Sequence, residues 1–236
     1  MGIPSRVPVG CADGLAEEGC GVPTRAVIFG LDGVLVTTDE MHYRAWLRLA
    51  NEEGIPFDWK INDRLRGISR EASLEVLLQR APRRYTAAQK IEMADRKNHY
   101  YLELLEQLTP ADMQPGALAV LGELKARGVR VAVGSGSTNA PLILHRIGLA
   151  YFFDAVAHGN EIRRSKPDPE VFLLAASRLG VLPPECLVIE DADAGVRAAI
   201  AGGMKCLAVG AAAGHPLAHQ SVDGFTEIGI EEMLRI

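Results

Sequence analysis

From Arg25 onward, short apolar runs alternate with stretches in which apolar residues recur every three or four positions. That alternation predicts a parallel sheet whose strands are separated by covering helices. The runs Ala26–Phe29, Val129–Val133, Leu187–Ile189 and Cys206–Val209 are the candidate strands. Between the first two lies a long stretch, about Thr38 to Met113, with strong helical periodicity and no convincing strand. There Met41, Ala45, Trp46 and Leu49 share one helical face, and Ala72, Val76 and Leu77 repeat the theme. Gln114, Pro115 and Gly116 mark the return to the sheet, followed by a helix carrying Ala117, Leu118, Leu121 and Leu124 and ended by Gly128. Asp168 and Pro169 read as an N-cap followed by proline at the first helical position. The pattern predicts an α/β fold with a core of 25–37 and 114–236 and an inserted α-helical cap domain of 38–113.

Residues 1–24 are rich in Gly and Pro and show no sustained period, which predicts a flexible N-terminal extension without chemistry. The chain has 236 residues, of which 48% are hydrophobic and 23% charged, ample for a sizeable core. No apolar run approaches the ~20 residues that span a bilayer, and the first residues lack the basic and apolar regions of a secretory signal. A cytoplasmic protein without a membrane partner is therefore expected, with a monomer as the working state. The net charge of −5 and pI near 5.7 provide no excess of cations for nucleic acid. Cys11, Cys20, Cys186 and Cys206 form no CxxC pair and no zinc-spaced cluster. A Cys11–Cys20 disulfide is conceivable, but free thiols are expected in a reducing compartment.

In an open parallel sheet, ligands bind beyond the carboxyl ends of the strands, so the residues just after each apolar run carry the candidate chemistry. Asp32 follows the first run, and Ser135, Gly136, Ser137 and Asn139 follow the second. Glu190 and Asp191 follow the third, with Lys166 preceding it. Glu190 and Asp191 facing Asp32 would offer hard oxygen ligands to Mg2+, although two acids at the start of a helix also suit the helix dipole. The GSGSTN run could hold phosphate on backbone amides and hydroxyls, or serve only as a polar strand-to-helix turn. Lys166 could neutralise the same phosphate.

The set LDGV after the first strand, SGS after the second, SKPDP and VIEDADAGV resembles the haloacid dehalogenase (HAD) superfamily of phosphoryl-transfer enzymes, across Arg25 to Ile236. The resemblance implies a Rossmann-like HAD core, a magnesium ion held with Asp32, Glu190 and Asp191, and an aspartyl-phosphate intermediate. The cap segments EMHYRAW, RGISREAS and RKN resemble the β-phosphoglucomutase pattern within that superfamily. This implies interconversion of β-glucose 1-phosphate and glucose 6-phosphate through glucose 1,6-bisphosphate. Arg70 would then grip the phosphate distal to the reacting centre, with Gly67, Ser73 and Lys97 lining the sugar-phosphate site. His42 would assist Asp32 as acid/base, and Trp46 would pack between cap and core. Two basic clusters in the cap, at Arg70 and at Arg96–Lys97, suit a bisphosphorylated sugar.

One position departs sharply. The superfamily motif is DxDG, whose first aspartate is the nucleophile, and that position is Gly30 here. Glycine cannot attack phosphorus or donate a carboxylate oxygen. Asp32 emerges two residues further on, about 6.6 Å along an ideal strand, too far to take its place. Since the rest of the motif set is intact, the pattern reads as nucleophile replacement in a working mutase. A natural non-catalytic sugar-phosphate binder, or a relative of sugar-phosphate phosphatases, is the alternative. Thr37 is a lesser departure at the cap hinge.

Overall fold

A computed structural model describes residues 22–236; residues 1–21, with most of the expected extension and the Cys11–Cys20 pairing, lie outside the described residues. Six parallel strands form one sheet in the order β3-β2-β1-β4-β5-β6: β1 (Ala26–Phe29), β2 (Arg130–Gly134), β3 (Ala155–Ala157), β4 (Cys186–Glu190), β5 (Lys205–Val209) and β6 (Gln220–Val222). The four expected strands are the central ones, β1 at its expected bounds and the other three differing by a residue at their ends. The two edge strands, AVA and QSV, are three residues each and leave no period to read in the sequence.

The sheet is buried on both faces because alternate side chains enter different cores. Val27 and Phe29 of β1 join Val131, Val133, Leu187 and Ile189 on one side. That side is covered by α5 (Ala117–Ala126), α6 (Ala140–Arg146) and α9 (Ile230–Arg235). Ala26 and Ile28 join Ala132, Cys186, Val188 and Cys206 on the other, beneath α7 (Glu170–Leu179) and α8 (Asp193–Ala201). Continuous apolar runs are what two covered faces require. Cys186 and Cys206 are free and buried there, their thiols pushed up to about 11 and about 12 by that burial.

Between β1 and β2 lie four helices and no strand: α1 (Asp39–Glu53), α2 (Trp59–Asp63), α3 (Arg70–Leu78) and α4 (Ala87–Leu105). They enclose a core of their own around Trp46, Leu49, Leu65, Leu74, Leu77 and Met93. On α3 the buried face runs through Ser73, Leu74 and Leu77, with Ala72 and Val76 only half-buried. Two connections lead into and out of this layer side by side. Thr37 N donates to Asp112 O at 3.2 Å and Gln114 N to Leu35 O at 2.9 Å, and the Gln114 side chain ties to Thr37 Oγ1 at 3.0 Å.

The helix expected to start at Pro169 with Asp168 as its cap begins one residue later at Glu170, whose N donates to Asp168 Oδ1 at 3.0 Å. The aspartate thus satisfies a helix-end donor from one place further out than expected. Among the described residues no helix is long and apolar enough to cross a membrane.

Candidate active site

The carboxyl ends of β1, β2 and β4 and the underside of the helical layer enclose a cleft of about 330 Å³. Every expected substrate-side residue (Trp46, Gly67, Arg70, Ser73, Lys97, Ser135, Gly136, Ser137, Asn139 and Lys166) lines it, as do Asp32, His42, Glu190 and Asp191. Residues separated by more than a hundred positions are brought together because each follows a strand or faces one from above. Gly30 continues the ladder, its N donating to Ile189 O at 2.9 Å, and it is not among the glycines with positive φ. Its backbone therefore does not require glycine. A Cβ there would lie 2.9 Å from Val34 Cγ2 and 3.0 Å from Glu190 Oε1, so the place of a side chain is taken up by those two neighbours.

On the cap side, Asp32 Oδ1 accepts from Thr38 Oγ1, and from Tyr101 OH at 3.4 Å. His42 Nε2 is 3.8 Å from the same oxygen. The His42 ring is stacked on Tyr101 at 4.0 Å, and its Nδ1 is 3.0 Å from Lys97 Nζ. When Lys97 is an ammonium it can only donate, so Nδ1 then accepts and the ring proton sits on Nε2, facing Asp32. Burial and Lys97 lower the His42 pKa, which keeps the imidazole neutral. Burial raises the Asp32 carboxyl, but His42, Thr38 and Tyr101 outweigh it and leave it below the usual value. With His42 neutral, that help comes from an N–H dipole more than from a full charge. Burial, then Arg70, bring Lys97 down to about 7, and burial with Asp32 raises Tyr101, which stays a phenol donor.

Tyr101 was not singled out by the motifs, and Thr38 only as a residue that fits the pattern at the cap hinge. Tyr101 lies four residues after Lys97 on α4, and that spacing puts both on one face. Asn98, the next residue after Lys97, holds cap to core: Asn139 Nδ2 donates to its Oδ1 at 2.9 Å. Trp46 does double duty, buried in the cap core and 4.9 Å from Lys97 Nζ. Arg70 carries a buried Nε without a hydrogen-bond partner, with its nearest acid, Glu71, at 3.7 Å. Arg96 does not join it: Glu52, Glu53 and Glu92 take up its guanidinium, at 3.1 Å for Glu52. The second basic cluster of the cap thus reduces to Lys97.

On the core side, Lys166 is buried, donating to Glu190 Oε1 and to Gly134 O at 3.1 Å. Its ammonium is committed to the acid beside it, where a free phosphate-neutralising cation was expected. Glu190 Oε2 accepts from Asp191 N at 3.2 Å. Ser135 Oγ accepts from Ser137 N and Ser137 Oγ from Asn139 N, at 3.1 and 3.2 Å, a tight polar turn that leads into α6. Gly67 has φ +74°, and a Cβ on it would lie 2.8 Å from Ala192 Cβ. The cap loop can approach the core this closely only as glycine.

Burial and the neighbouring Glu190 push Asp191 well above the usual carboxylate range, against the pull of Arg66 and Lys166. Among the described residues, no group of three or more His, Cys, Asp or Glu side chains is placed to hold a metal ion. Asp32 is turned to Thr38, Tyr101 and His42, Glu190 to Lys166, and Asp191 towards Arg66 at 3.7 Å. As arranged, they do not fit the expected ion shared by Asp32, Glu190 and Asp191. Gly30 supplies no carboxylate to draw them together.

Residues 24–203 match the haloacid dehalogenase-like hydrolase family. The chain belongs to that family. It is 44% identical over 195 residues to β-phosphoglucomutase of Bacillus subtilis, covering 82% of this chain and 85% of that one. It is 32% identical over 185 residues to a fructose-1-phosphate phosphatase of Escherichia coli, covering 78% and 95%. The crystal structure of a β-phosphoglucomutase from Clostridium difficile superposes with a TM-score of 0.84 at 36% identity, covering 88% of this chain and 94% of that one. The parallel sheet with its helices is the Rossmann-like core of the HAD family, and magnesium use is typical of the family.

Proposed function

We propose that this chain has the binding and proton-handling apparatus of a β-phosphoglucomutase and is disabled at the phosphoryl-accepting step. The parent reaction is interconversion of β-glucose 1-phosphate and glucose 6-phosphate through glucose 1,6-bisphosphate. The single observation that carries this reading is the Asp32–His42–Lys97–Tyr101 array in a cleft that also presents Arg70. Similarity to two β-phosphoglucomutases supports it. Asp32 is the proton-transfer group for a sugar hydroxyl. His42, neutral and protonated on Nε2, holds Asp32 in its ionised, accepting state. Lys97 and Arg70, both reaching the cleft from the cap, supply positive charge for phosphate, and Ser73 and Asn139 supply hydrogen bonds to the sugar phosphate. What is missing is a carboxylate at position 30 to take the phosphoryl group.

Gly30→Asp is expected to gain conversion of β-glucose 1-phosphate to glucose 6-phosphate in the presence of MgCl2, with glucose 1,6-bisphosphate as primer. A folded Gly30→Asp chain with no such activity sinks the mutase reading. The phosphatase among the relatives favours a second reading, in which the same variant releases inorganic phosphate faster than it isomerises the sugar. In both readings the unaltered chain binds a sugar phosphate, and Arg70→Ala weakens that binding by about tenfold or more.

A further inference from the structure

The acid pair at the end of β4 already has cations of the chain itself. Lys166 pairs with Glu190 in the core, both side chains almost fully buried. From the cap, the Arg66 guanidinium sits among three carboxylates. It contacts Asp39 at the first position of α1, Asp63 at 3.4 Å and Asp191 across the cleft at 3.7 Å. Its neighbour Gly67 rests on Ala192, the residue after Asp191. Arg66 therefore reaches the core beside the place where the cap loop meets the residue after the acid pair. Glu190 Oε1 lies against the space a side chain at position 30 would use.

We propose that Arg66 and Lys166 together take the place of a divalent metal at Glu190 and Asp191, so that this chain holds its cap against its core without Mg2+. A small divalent ion needs several oxygens free to turn to one point. Here Glu190 is engaged by Lys166 and by the backbone amide of Asp191, and the Asp191 carboxylate faces a guanidinium that cannot lose its proton. Arg66 and an incoming cation would both draw on the Asp191 carboxylate, so metal binding and this cap contact compete. The inference does not depend on which sugar phosphate fills the cleft.

Calorimetric titration of the full chain with MgCl2 alone, without sugar, tests it. The unaltered chain is expected to show no saturable binding in the millimolar range. Gly30→Asp, which adds a carboxylate beside Glu190, should bind Mg2+ at least about tenfold more tightly, and Arg66→Gln, which frees Asp191, should also bind measurably. Arg66→Lys, which keeps the charge, should stay close to the unaltered chain. Saturable binding by the unaltered chain with an affinity matching that of Gly30→Asp overturns the proposal, as does Arg66→Gln binding no more tightly than its parent. Far-ultraviolet circular dichroism identifies a misfolded Arg66→Gln, in which case Gly30→Asp decides alone. Sugar-phosphate binding plays no part in this readout, so its failure would count against the proposed function and leave the metal result standing.

Discussion

The cap-facing and core-facing halves of one cleft differ in what their polar groups are free to do. On the cap side, Asp32, His42, Lys97 and Tyr101 form a connected set whose members shift one another's proton affinities. On the core side, Lys166, Glu190 and Asp191 are turned inward to one another and to Arg66, and Gly30 offers nothing. The same sheet end carries both. Buried charges must find partners wherever they are; with glycine at position 30 the core-side acids pair with Lys166 and Arg66, while the set hung from the cap helices and Asp32 is held by its own contacts. On the proposed reading, a site keeps its binding geometry and loses its chemistry through one side chain.

The largest break in that comparison is Gly30→Asp, which should raise turnover on the order of a thousandfold or more, since nucleophile loss is among the costliest single changes in covalent catalysis. A coupled assay for glucose 6-phosphate reads it. Accommodating the new Cβ requires Glu190 and Val34 to give way, so a modest fall in thermal stability should accompany the gain.

Next in size is Lys166→Met. It leaves Glu190 buried beside no cation and should cost about 3–5 kcal/mol in urea unfolding. Pairing it with Glu190→Gln should recover most of that loss, and a double variant as unstable as the single one would show that Lys166 matters by packing instead.

A smaller effect tests the cap side by pH. The folded pKa of Lys97, about 7, lies below its ordinary 10.5, so between those values the unfolded chain binds more protons and stability rises with pH. The slope attributable to Lys97 is at most about 1.4 kcal/mol per pH unit. It should vanish in Lys97→Met when urea midpoints are compared between neutral and mildly alkaline pH. Cys186 and Cys206, raised by burial, act in the opposite sense and only above the ordinary thiol range.

Smallest is Arg96→Ala. Its partly exposed pairs with Glu52 and Glu53 hold α1 to α4 outside the cleft, and its pair with Glu92 lies within α4. The change should cost about 1 kcal/mol of stability with sugar-phosphate affinity unaltered. A parallel loss of affinity would return Arg96 to the binding site.

Central strands and helices were legible because their apolar periods run for many residues. The edge strands Ala155–Ala157 and Gln220–Val222 were not, being short and defined by the partner they pair with. Residue types at strand ends placed Asp32, Ser135, Lys166, Glu190 and Asp191 around one cleft, and the structure brings them there. What those residues hold was less legible. Nothing local in Arg96-Lys97-Asn98 says that Arg96 faces three glutamates outward, Lys97 a histidine inward and Asn98 the core loop.

The sequence by itself determined the alternation of strands and helices, the long helical interruption after β1, the chemistry available at each strand end and the absence of a carboxylate at position 30. These follow from local period and residue type, which need no partner to be defined. The tertiary structure alone decided that Gly30 is not a turn residue, that Glu190 belongs to Lys166, that Arg66 crosses to Asp191 and that Tyr101 and Thr38 complete the setting of Asp32. The pairings of Glu190 with Lys166, Arg66 with Asp191 and Tyr101 with Asp32 join segments apart in sequence, fixed by the need of buried polar groups for partners within reach.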